Sequence, residues 1–252
     1  MSIKTATLEW RYQPIDLFKE THTIESHGAT LVIQDGVARA ETDTTLHQSD
    51  PTLTDKLRRV IFARLAPYGL HRKDPVVVED HPILTVTHAD GRSREIYLES
   101  FASIRITDSI QIQVYRDGVL IQDSAQELSD RQQVESELLS KHAGDDLLSR
   151  LLASQSESKR DSGDEFTHLY EILEALQARF GKLPKLTEAL GIEKSKIGKF
   201  HAVCNAPSTV SRHRGLTKGP LREPTAEEFN HARSYAWEMI LAYARWLGKQ
   251  SS

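Results

Sequence analysis

Thr30-Leu-Val-Ile-Gln-Asp-Gly-Val-Ala-Arg-Ala-Glu41 decides how the first half of the chain folds. Asp35-Gly36 stands between two runs of β-favouring residues. A two-residue type I′ turn needs positive φ at both central positions, and Asp-Gly supplies them at little cost. The stretch therefore predicts a hairpin of residues 30–34 against 37–41. Two further Asp-Gly pairs repeat the pattern: Asp90-Gly91 between residues 83–88 and 94–99, and Asp117-Gly118 between 110–116 and 119–122. Ile110, Ile112 and Val114 alternate with Gln111, Gln113 and Tyr115, the period of a half-buried strand. One helix interrupts the strands. After Pro51, Leu53, Leu57, Val60, Ile61 and Leu65 recur at helical spacing, and Pro67 then Gly69 close the run, so this helix can cover one face of an antiparallel sheet. Trp10 and Tyr12, on alternate positions ahead of the hairpins, fit core or edge-strand packing. The expected fold class is α+β, with residues 1–124 forming an N-terminal antiparallel β-hairpin domain with one covering helix.

Past residue 124 the pattern turns helical and strongly charged. Ser154-Gln-Ser-Glu-Ser-Lys-Arg-Asp-Ser-Gly163 has a composition that cannot bury a core, so residues 125–164 are expected to form a charged helix and a flexible linker. Residues 165–252 then form an all-α bundle. Leu169, Ile172, Leu173, Leu176 and Phe180 make one apolar stripe, Glu171 and Glu174 face away, and Gly181 stops the helix. A last helix begins after Pro224. It sets Phe229, Ala232, Ala236, Ile240, Tyr243 and Leu247 opposite Asn230, Ser234, Glu238 and Arg245. Arg233 falls inside the apolar arc, where it must find a partner or a ligand, or snorkel to the edge.

The 252 residues carry 32 Lys plus Arg and 36 Asp plus Glu, for a formal charge of −4. That sum hides an asymmetry. Residues 1–124 hold 14 bases and 18 acids, 125–164 hold 5 and 9, and 165–252 hold 13 and 9. Within the last part, residues 182–222 hold nine bases against Glu188 and Glu193. Such a run is the electrostatic footprint of a phosphate-bearing partner, or else a solvated surface offset by the acidic remainder. The lone Cys204 can form neither an intramolecular disulfide nor a thiolate metal cage, which fits a reducing compartment. Residues 1–12 lack the apolar core of a secretory signal, and residues 236–247 are broken by Glu238 and Arg245. A cytoplasmic protein that needs no membrane and no cofactor is expected.

The most specific local pattern is Leu183-Pro-Lys-Leu-Thr-Glu-Ala-Leu-Gly-Ile-Glu-Lys-Ser-Lys-Ile-Gly-Lys-Phe200. A short helix opening at Pro184 is expected to bury Leu186, Ala189 and Leu190. Gly191 makes a tight turn, and a second helix begins near Glu193 with Ile197, Phe200 and Cys204 inward. Lys194, Ser195, Gly198, Lys199 and Ala202 then share the outward face, with Lys196 at its margin. Gly198 argues for close backbone approach, either to phosphate or to a packed helix. The segment resembles the helix-turn-helix of bacterial DNA-binding proteins, with Leu190-Gly191-Ile192 in the turn. The resemblance implies nucleic-acid contact through the second helix. Plain bundle corners are built from the same elements.

Ser211-Arg212-His213-Arg214-Gly215 lies between the Asn205-Ala-Pro207 break and the last helix. Its side chains can hold a phosphate or cap helix C-termini, and His213 is a candidate proton shuttle. Together with Thr225-Ala-Glu-Glu-Phe and Tyr243-Ala-Arg-Trp-Leu247, this arrangement is similar to the HEPN and abortive-infection helical domains of bacterial defence systems. That resemblance implies RNA cleavage or RNA binding, and a homodimer whose paired motifs form one composite site. The family separates its Arg from its His by a short polar spacer, whereas His213 follows Arg212 directly.

Other chemistry is sparse. His22, Glu25 and His27 lie close together, yet they precede a strand and offer no fourth ligand for a metal. No Gly-rich phosphate loop and no Gly-x-Ser-x-Gly elbow is present, and Cys204 on an apolar helical face reads as an inert core thiol. Three functions remain open. The first is DNA or RNA binding through Lys194, Lys196, Lys199, Arg212, His213 and Arg214. The second is a metal-independent HEPN-like ribonuclease using Arg212 and His213. The third is a protein-interaction adaptor whose sheet edges recruit a partner strand.

Overall fold

The structure is a computed structural model of the full chain and describes residues 5–17, 19–70, 72, 74–87, 94–97, 113–116, 119–206 and 220–250. It is α+β, with an N-terminal antiparallel half-barrel sheet and helix followed by a C-terminal helical bundle. Two compact units divide chiefly between Gly144 and Asp145.

In the first unit, β1 (Thr5–Gln13), β2 (His22–Ser26), β3 (Ala29–Gln34) and β4 (Val37–Asp43) precede a short α1 (Thr44–Ser49) and α2 (Leu53–Gly69). Then come β5 (Val77–Val78), β6 (Ile83–Thr87) and β7 (Arg94–Tyr97), the separate hairpin β8 (Gln113–Arg116) and β9 (Val119–Asp123), and α3 (Ser124–Lys141). The sheet order is β2-β3-β4-β1-β6-β7, with β5 paired to the end of β1 and every pairing antiparallel. The quoted hairpin forms in the expected register, Gln34 opposite Val37, with Asp35 at φ 48° and Gly36 at φ 80°. Strands β6 and β7 pair, as do β8 and β9. The Asp90-Gly91 and Asp117-Gly118 turns and residues 110–112 lie outside the described residues. A second positive-φ turn at His27-Gly28, with φ of 51° and 73°, joins β2 to β3.

Alternation places Ala6, Leu8, Trp10 and Tyr12 of β1 on the covered face, with Leu31 and Ile33 of β3 and Ala38 and Ala40 of β4. Leu53, Leu57, Ile61, Leu65 and Tyr68 of α2 complete this core, so the covering helix sits where its spacing puts it. Each such side chain taken out of water contributes about 1.5–3 kcal/mol. Trp10 and Tyr12 are core residues of a strand with neighbours on both sides. The other flank of α2 receives α3, where the fully buried Ser136 hydroxyl donates to the Arg64 carbonyl at 2.5 Å.

The second unit holds α4 (Asp146–Arg160), α5 (Glu165–Phe180), α6 (Leu183–Leu190), α7 (Lys194–Cys204) and α8 (Ala226–Gln250). The expected flexible linker is overturned here: residues 154–160 are helical, and Gln155 and Ser158 are buried. Leu147, Leu148, Leu151 and Leu152 start an apolar stripe that Gln155 and Ser158 continue at helical spacing. The Ser158 hydroxyl satisfies itself on the Gln155 carbonyl at 2.9 Å, so a polar composition still packs. On α5 the expected stripe is buried from Leu169 to Leu176, while Glu171 and Glu174 are exposed. Helix α8 is buried almost all round its middle, from Tyr235 to Ala244, as befits the central helix of the bundle. Among the described residues no helix is long and apolar enough to cross a membrane.

Candidate nucleic-acid interface

The pair α6–α7 forms around a left-handed residue. Gly191 sits at φ 65°, ψ 29° and its N–H returns to the Thr187 carbonyl, which ends α6 and redirects the chain. Pro184 occupies the first turn of α6, where its missing N–H costs nothing. Leu186 is fully buried, but Leu190 is half-buried and Ala189 is exposed, contrary to expectation. A helix of eight residues resting on α5 and α8 has one buried row and no more.

Helix α7 presents the face its spacing demands. Ile197, Phe200 and Cys204 are fully buried, whereas Lys194, Ser195, Gly198, Lys199 and Ala202 are exposed. Phe200 lies parallel to Tyr170 at 6.3 Å between centroids, which anchors α7 on α5. Burial pushes the Cys204 thiol up, away from thiolate chemistry. Neither the Lys194 nor the Lys199 side chain has a hydrogen-bond or ion-pair partner among the described residues. Lys196 differs. Its ammonium lies 3.2 and 3.3 Å from the two Glu238 carboxylate oxygens and 5.4 Å from the Tyr235 ring, so it is tied to α8. An added Cβ at Gly198 would meet nothing within 4 Å, so no packed helix among the described residues requires this glycine.

Other bases of the run are also spoken for or lie elsewhere. Arg222 grips Glu228 with two hydrogen bonds, 2.8 and 2.6 Å, and this holds the Glu228 carboxyl at about 2, well below the usual range. Glu228 also accepts from the Thr225 N–H at 2.8 Å, and its own N–H donates to the Thr225 hydroxyl at 3.2 Å. Thr225-Ala-Glu-Glu228 is thus a capping box, a signal present in the sequence that the composition count passed over. Arg212, His213 and Arg214 lie outside the described residues. Lys182 and Lys185 are exposed at the start of α6. The described bases that remain available are therefore Lys182, Lys185, Lys194 and Lys199.

Arg233 finds its partner in Glu165, the first residue of α5. Nε and Nη2 donate to the two carboxylate oxygens at 2.5 and 2.8 Å, and the guanidinium also lies 5.1 Å from the Phe229 ring. Glu165 is 3% exposed. Beside this pair, Lys159 is pushed down to about 8 by burial and by the Arg233 charge, with Glu165 opposing. In the first unit, the three residues weighed as a metal cluster have other roles. His22 is buried against Arg64, Glu25 accepts from Thr30 at 2.7 Å, and His27 makes the turn into β3. The open sheet face carries a depression of about 330 Å³ across β1, β3 and β4, spanned by the Arg39–Glu9 ion pair at 2.8 Å.

No family model, curated protein or solved structure matches the chain.

Proposed function

We propose that the C-terminal helical unit binds nucleic acid through the outward face of α7. The observation that carries this reading is the pair Lys194 and Lys199: both exposed, both without a counter-charge among the described residues, on a helix fixed by a tight glycine turn and a fully buried inner row. Unpaired ammonium groups on a rigid element lose little on meeting phosphate and release condensed counterions when they do. Lys182 and Lys185 extend the same positive field. Lys196, already neutralised by Glu238, stabilises the seat of α7 and is not a principal contact.

Low-salt retention of DNA and RNA by the full chain tests the reading. Wild-type protein retains nucleic acid, the Lys194→Glu/Lys199→Glu variant does not, and Lys196→Ala keeps most of the binding. Equal retention by the charge-reversed variant, with its helical content intact, would refute the assignment.

A further inference from the structure

We infer that the open face of the N-terminal sheet binds a free α-amino acid with a basic side chain, lysine or arginine, at a site independent of the α7 face. The depression of about 330 Å³ there is lined by side chains of β1, β3, β4 and the turn residue Asp35. Register sets its layout. Arg39 stands between Val32 of β3 and Glu9 of β1, with Glu41 two residues along β4 on the same face and Val37 two residues the other way. Asp35 lines the turn end. Arg39 gives both Nε and Nη2 to a single oxygen of Glu9, Oε2, at 3.3 and 2.8 Å. Its Nη1 and the carboxylates of Glu41 and Asp35 have no hydrogen-bond or ion-pair partner among the described residues. The depression thus offers one unspent donor edge and two unspent carboxylates, with Val32 and Val37 half-buried in its floor.

A ligand that uses all of these carries an anion and a cation close together, and a second cation at the end of an apolar stem. Same-face neighbours on a strand are about 6.8 Å apart. The ammonium nitrogen of an α-amino acid lies about 2.5 Å from its carboxylate carbon, so with a hydrogen bond of about 2.8 Å at each end the pair spans the step from Arg39 to Glu41. The ligand carboxylate takes the free edge of the guanidinium, and the ammonium takes Glu41. Asp35 is three residues past Val32, about 10 Å along the strand. A lysine or arginine stem reaches about 6 Å from its Cα, lies over Val32 and Val37, and brings its charge within hydrogen-bond reach of Asp35. Other ligand classes use the face less fully. Glu9, Glu41 and Asp35 repel a phosphate, and a simple diamine sets like charge against Arg39. Among the described residues no three Asp, Glu, His or Cys side chains converge as a metal ion requires.

Calorimetric titration of the full chain tests this with L-arginine, L-lysine, L-citrulline, which keeps the shape of arginine without its charge, and agmatine, which is arginine without its carboxylate. Arginine and lysine are expected to bind with a dissociation constant of about 1 mM or tighter, and citrulline and agmatine about tenfold more weakly. Asp35→Asn keeps the positive-φ turn, because Asn-Gly suits it as well as Asp-Gly does, and is expected to abolish the preference for arginine over citrulline. Arg39→Gln is expected to abolish the preference for arginine over agmatine. The Lys194→Glu/Lys199→Glu variant is expected to bind arginine as the wild type does, and a loss of binding there contradicts a site on the sheet. Binding of arginine and lysine weaker than about 1 mM, equal affinity of the wild type for agmatine and arginine, or an undiminished preference for arginine over citrulline in Asp35→Asn overturns the inference.

Discussion

Replacing Arg233 by methionine isolates the most consequential ion pair of the helical unit. Glu165 is 3% exposed and receives both hydrogen bonds of the Arg233 guanidinium, so the variant leaves a carboxylate in a nearly dry site. Breaking a buried pair by removing one partner costs about 3–5 kcal/mol. The Arg233 side chain is itself 44% exposed, and Lys159 lies close enough to Glu165 to supply part of the lost charge, so about 2–3 kcal/mol is expected. For a unit of this size that is a fall of roughly 8–20 °C in melting temperature. Glu165→Gln leaves a guanidinium that can swing to water and costs less, about 1–2 kcal/mol. The double variant loses less than the sum, with a coupling of about 1–2 kcal/mol. Urea unfolding of all four proteins, followed through Trp237 and Trp246 of the helical unit, yields the cycle. A cost below about 0.5 kcal/mol for Arg233→Met, or strict additivity, would refute the reasoning.

Two further perturbations address the first unit. Arg64 donates to His22 Nδ1 at 3.1 Å, so the neutral ring carries its proton on Nε2. Burial, then the Arg64 charge, lowers the His22 pKa from 6.5 against smaller opposing effects of Glu20 and Glu137. The unfolded chain therefore binds the proton first: the stability that His22 contributes is complete above about 6.5 and is lost as pH falls below it. Unfolding free energy measured from pH 8 to 5 is expected to drop through that window in the wild type and to flatten in His22→Gln; identical slopes would contradict the assignment. Gly36→Ala puts a Cβ on a left-handed residue at φ 80°, 2.6 Å from Ile15 Cγ2, and is expected to destabilise by about 1–3 kcal/mol in urea unfolding, with a neutral result contradicting the turn geometry.

What was legible in the sequence was local. Asp35-Gly36, the leucine spacing of α2, and the glycine turn ahead of α7 each encode their geometry within a dozen residues, and each forms as read. What was not legible depended on partners distant in sequence. The place of β1 between β4 and β6 follows from which strands meet, which no local pattern of Trp10 and Tyr12 contains. The helix through residues 154–160 was hidden because Gln155 and Ser158 count as polar until a neighbouring helix buries them. At the candidate site, spacing gave the outward face of α7, but formal charge counted Lys196 and Arg222 as available. Their carboxylate partners, Glu238 and Glu228, lie on α8, outside the counted run. Among the described residues, the six bases of the run thus narrow to Lys182, Lys185, Lys194 and Lys199, of which Lys194 and Lys199 share one helix.

The salt dependence of nucleic-acid affinity tests the role of that face most directly. Each phosphate neutralised on B-form DNA contributes about 0.9 to the slope of log Kobs against log salt. Replacing Lys194 and Lys199 together by alanine is expected to reduce the magnitude of the slope by ~1.8, with the helical content unchanged, whereas Lys196→Ala leaves it nearly as in the wild type. A slope that does not move when both lysines are removed would contradict nucleic-acid binding through α7.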